Sequence, residues 1–176
     1  MYAAVSYLQV ASQIPCWDAG MGRTTAPLYC AFRNGLCYGY NPGRVGDVDL
    51  VREPHVSKLI SQTLARMHSV TLCCEGPNAQ PSLFLTMHKY LHKYLSLMPT
   101  EFADIKKNAR FLECIPSKSE LEWEVQLLED HLSVLGSPVV FCHNDLLLKN
   151  FTYQEKEDKV IFIDFEYANN NYQALD

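Results

Sequence analysis

Positive charge is scarce in this chain. Fifteen lysines and arginines stand against twenty acids, for a net charge of −5 in 176 residues. A dedicated nucleic-acid binder is normally basic, so that class is set aside. Long apolar runs are also missing: nothing approaches the roughly 18 residues a transmembrane helix needs. No lysine or arginine precedes Arg23, so the apolar-leaning first stretch lacks the positive region of a secretory signal. The seven cysteines never fall at a Cys-x-x-Cys spacing, which removes support for a zinc ribbon or a thioredoxin-type site. An odd, unpatterned set reads as free thiols in a reducing compartment, and the cytoplasm is the expected location. No Gly-x-Ser-x-Gly nucleophile motif, internal repeat or low-complexity tract occurs. What remains is a chain that is 48% hydrophobic, enough to bury a real core.

Its periodicities predict a mixture of helices and short strands. Leu28–Phe32 and Leu36–Tyr40 flank Asn34-Gly35, the strongest short hairpin signal. Pro54 suits a first helical position, and Val56, Leu59, Ile60, Thr63, Leu64 and Met67 form one apolar face behind it. A second helix is expected over Ser82 to Leu97, with Leu83, Met87, Tyr90, Leu91 and Tyr94 on a face. A third follows either of two capping boxes, Ser117 with Glu120 or Ser119 with Glu122. It should run to Gly136, a C-cap glycine before Pro138, with Glu122, Glu129 and Asp130 facing outward. Val139–Cys142 reads as a buried strand, and Phe151–Tyr153 with Val160–Ile163 as a hairpin.

The chemistry is concentrated between Phe141 and Tyr167. His143-Asn144-Asp145 is followed, after four further residues, by Asn150, then by the hairpin, then by Asp164 at a strand end. Phosphoryl transfer needs such a set: one carboxylate to align a hydroxyl and accept its proton, and a neutral oxygen donor with a second carboxylate to hold Mg²⁺ against phosphates. A tight loop puts Asp145 and Asn150 on one rim, and the hairpin returns Asp164 to it. The spacing matches the protein-kinase plan of His-Arg-Asp-x-x-x-x-Asn and a later Asp-Phe-Gly, except that Glu166 replaces the glycine.

Gly136–Leu147 and Phe162–Tyr167 resemble the choline/ethanolamine kinase family, nearest its ethanolamine-directed members, since Leu147 stands where choline kinases typically carry glutamine. Ala26–Cys30, Asn34–Tyr38, Leu64–His68, Pro99–Asp104 and Asn171–Asp176 extend the likeness. The resemblance implies an α+β, protein-kinase-like fold: mainly the helical C-terminal lobe with the catalytic-loop hairpin, and an incomplete N-terminal lobe. Residues 1–25 would be a divergent segment without lysine, and 26–176 a partial kinase-like domain. It implies transfer of the ATP γ-phosphate to the hydroxyl of ethanolamine, the first step of phosphatidylethanolamine synthesis. Asp145 would be the catalytic base, His143 would buttress its loop, and Asn150 and Asp164 would hold Mg²⁺ and with it ATP. Glu166 and Tyr167 are weaker candidates for the amine pocket. Partners would be the small-molecule substrate and, through a dimer, full-length family members. Two other readings stand beside this one: an inactive family fragment acting as a regulatory partner, and a phosphotransferase acting on aminoglycosides.

Other features have plainer readings. His88 and His92, at i and i+4, are expected on a solvated face. Cys73-Cys74 reads as a reduced pair, Gly20-Met21-Gly22 as a turn, and the Asn150-Phe151-Thr152 sequon as idle. Thr86, Met87 and Trp123 are expected to be partly uncovered, at some cost in stability.

Overall fold

The computed structural model describes residues 27–32, 35–70, 79–93, 95–97, 99 and 101–176. The readings placed on residues 1–25, on Asn34 and on Cys73-Cys74 lie outside them. The chain divides into two compact units, one of residues up to Gln80 together with Pro138–Asp176, the other Pro81–Ser137.

In the first unit, β1 (Leu28–Phe32) and β2 (Gly35–Tyr38) pair antiparallel, as the Asn-Gly signal predicts, and Gly39 N–H extends the ladder to the Pro27 carbonyl at 2.8 Å. A two-residue strand, β3 (Arg44–Val45), leads into a short helix α1 (Val48–Arg52). Asp47 caps α1: one carboxylate oxygen accepts from Leu50 N–H at 2.8 Å and the other from the Arg44 guanidinium at 2.7 Å. These two partners, the amide first, hold its carboxyl below the usual carboxylate range. Five residues are too few to show a helical period, which is why α1 is invisible to pattern reading. The next helix, α2 (Pro54–His68), starts with proline at its first position and buries Val56, Thr63 and Met67. Thr63 is polar but satisfied, its hydroxyl donating to the Leu59 carbonyl at 2.8 Å.

Four further strands complete this unit: β4 (Val139–Cys142), β5 (Phe151–Gln154), β6 (Lys159–Phe162) and β7 (Asn169–Tyr172). They form a three-stranded sheet in the order β3-β5-β6 and a two-stranded sheet β4-β7, all antiparallel. β7 is a surprise, because a run of three asparagines reads as turn. It is a strand because each residue from Val139 to Cys142 pairs with it in register, Asn170 and Asn171 are buried, and the Asn171 side-chain amide donates to Asn144 Oδ1 at 2.8 Å. Helix α2 packs on β4 and β6. The core between them is Leu50, Val56, Met67, Phe141, Phe151, Val160, Phe162, Phe165 and Ala168. Each large side chain so buried contributes about 1.5–3 kcal/mol, and that term, not local propensity, holds the short strands.

In the second unit, α3 (Ser82–Lys93) and α5 (Lys118–Leu132) pack together, with α4 (Ile105–Cys114) between them in sequence. α3 ends four residues earlier than its period predicts. Ser96 Oγ donates to the carbonyls of His92 and Lys93, and the chain tightens into a 3₁₀ turn over Leu95–Leu97. Its most buried residues are Phe84 and Leu91, whereas Tyr90, placed by periodicity on the apolar face, is 48% exposed. Asp104 caps α4 through Lys107 N–H at 3.0 Å. At the start of α5 the Ser117–Glu120 box forms rather than the Ser119–Glu122 one: Ser117 N–H donates to Glu120 Oε2 at 2.7 Å and Glu120 N–H to Ser117 Oγ at 3.3 Å. Those bonds from Ser117 lower the Glu120 carboxyl below its ordinary value. Gly136 closes the following turn in the left-handed region, φ 67°. Glu129 does not face outward; it takes a 2.8 Å bond from His88 on α3, so His88 is not on a free solvated face either. Trp123 is 64% exposed within this unit, in line with the uncovered face expected from sequence.

Candidate active site

The site is built where β4 and the β5–β6 hairpin end. β4 delivers His143, fully buried, and the chain then reverses at Asn144 in the left-handed region, φ 63°. Asp145 follows, and a 3₁₀ turn over Leu148–Asn150 feeds β5. After β6 the chain reverses a second time at Asp164, φ 65°, into the 3₁₀ turn Phe165–Tyr167. A non-glycine residue in this region costs roughly 1 kcal/mol or more. Of two such residues here, Asn144 precedes Asp145 and Asp164 is itself one of the acids singled out from sequence, and strain of this kind concentrates where geometry must be held.

Two side chains lock the loops to each other. The His143 ring donates from Nε2 to the Ile163 carbonyl at 2.9 Å and lies against Phe165 with centroids 4.8 Å apart. Its Nδ1 is buried and has no hydrogen-bond partner among the described residues. Asn150 donates from Nδ2 to the Asp145 carbonyl at 2.8 Å and to Asp145 Oδ2 at 3.1 Å, while its own carbonyl accepts from Ile163 N–H at 2.9 Å. Asn150 thus touches the loop bearing Asp145 and the strand end bearing Asp164. Sequence spacing predicts Asp145, Asn150 and Asp164 on one rim; these bonds join the side chains of Asp145 and Asn150 and tie Asn150 to Ile163, the residue before Asp164. Asn150 is 8% exposed and Thr152 4%, so the sequon is enclosed in the protein.

The Asp164 carboxylate is exposed and makes no hydrogen bond or ion pair among the described residues. Glu166 is half-buried and Tyr167 is 53% exposed, both on the turn that follows. Sequence reasoning missed Asn144 as a fastener. Its Nδ2 donates to the Tyr167 carbonyl at 2.9 Å and its Oδ1 accepts from Asn171 at 2.8 Å. The affinity of asparagine for left-handed turns was the available signal. Nothing local could have flagged Asp176, whose carboxylate reaches back to this loop.

A profile of the choline/ethanolamine kinase family matches residues 21–176. The chain belongs to this family. Among characterised relatives, ethanolamine kinase 1 of Mus musculus is 46% identical over 149 residues, which is 85% of this chain and 40% of the mouse protein. Ethanolamine kinase 1 of Homo sapiens is also 46% identical over 149 residues, 85% of this chain and 32% of the human protein. The chain therefore spans well under half the length of these relatives. A Plasmodium vivax ethanolamine kinase structure superposes with a TM-score of 0.75 at 22% identity, covering 94% of this chain and 48% of that one. That likeness shows the fold: the described strands and helices are those of a choline/ethanolamine kinase, a protein-kinase-like α+β architecture. No helix among the described residues is long and apolar enough to cross a membrane.

Proposed function

We propose that this choline/ethanolamine kinase family member transfers the γ-phosphate of ATP to the hydroxyl of ethanolamine, giving phosphoethanolamine and ADP. The observation that carries the reading is Asn150, whose amide nitrogen is spent on Asp145. That bond leaves Asp145 Oδ1 to accept the proton of an attacking hydroxyl, and leaves the Asn150 carboxamide oxygen as a ligand atom.

Mg²⁺ takes hard oxygen ligands and keeps several waters. The Asn150 carboxamide oxygen and the uncommitted Asp164 carboxylate are such ligands, so the residues fit. When bound, the ion would neutralise charge on the transferring phosphate. The chain's own part is positional. Asp145 orients the hydroxyl and holds its proton, His143 keeps the two loops in register through Ile163, and Asn144 and Asn150 tie Asp145 at both ends. Glu166 and Tyr167 offer an acid and an aromatic face, the two features an ammonium group binds. We assign residues 26–176 as the kinase-like part, working in the reducing cytoplasm at the first step of phosphatidylethanolamine synthesis. The described cysteines are all free thiols, which suits that compartment.

The test is a phosphotransfer assay on the purified chain with Mg²⁺, ATP and ethanolamine, with choline and an aminoglycoside as competitors. Turnover on ethanolamine should fall about 10²–10⁴-fold in Asp145→Ala, the usual worth of a general base. Folded, monodisperse protein that turns over none of the three would overturn the proposal.

A further inference from the structure

A cavity of about 410 Å³ opens in the first unit between β3, α1 and the tip of the β5–β6 hairpin. Pockets that hold small molecules run from roughly 300 to 1,000 Å³. None of the residues assigned to phosphate transfer lines it. Gln154, which does, stands at the far end of β5 from Asn150, roughly 13 Å along the strand at about 3.3 Å per residue. Leu50 and Tyr153, both packed on the core, give the lining its apolar part.

Gln154 is 7% exposed, yet its carboxamide makes no hydrogen bond among the described residues. Its main-chain carbonyl is spent in the hairpin turn, accepting from Glu157 N–H at 3.2 Å. Gly43 packs against its stem: the backbone there, φ 133°, passes so close that an added methyl would lie 3.3 Å from Gln154 Cγ. A buried carboxamide left unpaired is costly, and a ligand with a hydrogen-bonding head removes that cost.

The rim sets the sign of such a ligand. Glu53, Glu155 and Lys156 stand on it without salt bridges among the described residues, two acids against one base. Arg44 is committed to Asp47, and Glu157 to Lys159. Glu53 is the N-cap residue of α2, but its side chain caps nothing. The negative field reaches the wall of the cavity. Burial first, then the 3.2 Å bond to Asp158 and the charges of Asp158, Glu155 and Glu53, push the Tyr153 phenol above its ordinary value. Carboxylates beside an aromatic ring suit an ammonium group and repel a phosphate.

We propose that this cavity is a second ligand site, which takes a small organic cation: its ammonium group held by Glu53 and Glu155, its aliphatic stem against Leu50 and Tyr153, and a hydrogen-bonding head on the Gln154 carboxamide. A short alkanediamine has all three parts. A bare metal ion would leave the apolar lining and the amide unused. The site is independent of the reading of Asp145 and exists whether or not the chain transfers phosphate.

The test is titration of the ¹⁵N-labelled whole chain with 1,4-diaminobutane, in about 150 mM NaCl to screen diffuse attraction. The readout is the side-chain amide signal of Gln154, assigned by its absence in Gln154→Leu. It should shift saturably, with half-saturation on the order of 1 mM. Glu53→Gln and Glu155→Gln, both at exposed positions, should each weaken binding about 5–10-fold, the worth of a charge-assisted bond. They keep the site testable if Gln154→Leu does not fold. 1,4-Butanediol, with the same stem and no charge, should bind at least about 10-fold more weakly. Saturating ATP with Mg²⁺ should leave the half-saturation point within about twofold. A Gln154 signal that does not move, or diamine binding untouched by both glutamate substitutions, would overturn the proposal. So would equal binding of the diol, a like shift with Mg²⁺ or inorganic phosphate alone, or displacement by ATP, which would make the cavity part of the nucleotide site.

Discussion

Gly46 sits between β3 and the cap of α1, buried, with its N–H on the Phe151 carbonyl at 2.9 Å. A methyl group added there would fall inside the contact distance of the Leu148 carbonyl oxygen and 2.5 Å from two carbons of the Phe151 ring. Ordinary carbon contacts begin near 3.5 Å, so the ring or the turn must retreat by about 1 Å. Neither is free to do so: Phe151 belongs to the core, and Leu148 begins the turn that carries Asn150. Overpacking against a fixed partner costs about 3 kcal/mol, the upper end of the usual range. For a chain of this size that is a fall in melting temperature of about 6–12 °C. Gly46→Ala should therefore melt that much lower by circular dichroism. The control is Gly35→Ala, where nothing lies within 4 Å of the added atom. It should melt within about 2 °C of wild type, as open surface substitutions do. Because the displaced turn bears Asn150, turnover measured well below both melting points should also drop in Gly46→Ala and not in Gly35→Ala. A Gly46→Ala protein that melts with the wild type would refute the packing of Phe151 and Leu148 described above.

Two further expectations follow from charge and burial. Glu120 has a lowered carboxyl in the folded state, so the stability it contributes is present above the ordinary value of 4.5 and is lost as pH falls through the depressed one. The melting gap between wild type and Glu120→Gln should be open at about pH 7 and narrow progressively as the pH is taken below 4.5; a gap that does not narrow on acidification would mean the capping box is not its source. Cys142 is fully buried with its thiol pushed up to about 12, whereas Cys30, Cys37 and Cys114 are exposed. Alkylation at about pH 8 followed by peptide mass spectrometry should label those three at once and Cys142 only as fast as the protein opens; prompt labelling of Cys142 would refute its burial.

The helices that sequence located are those whose signals are local. Pro54 and the Val56–Met67 stripe define α2, and Ser117 with Glu120 starts α5 because a capping box is complete within four residues. The hairpin of β5 and β6 was legible from its alternation and polar turn. What failed was whatever depended on a distant partner. β7 is three asparagines and a tyrosine, and becomes a strand only because β4 offers it a ladder. Glu129 looks like a surface acid until His88 is brought opposite it. α1 is held by a cap and by the burial of Leu50, neither of which leaves a period to read.

The site divides the same way. The types and spacing of His143, Asp145, Asn150 and Asp164 stand in the sequence, since side-chain chemistry and the number of intervening residues are written there. How those residues are held was decided by tertiary structure. His143 reaches Ile163 across twenty residues, and Asp176 reaches the amides of His143 and Asn144 across more than thirty. A hydrogen bond fixes direction as well as distance, and direction exists only after the strands have paired and the core of Phe141, Phe151 and Phe162 has closed beneath them.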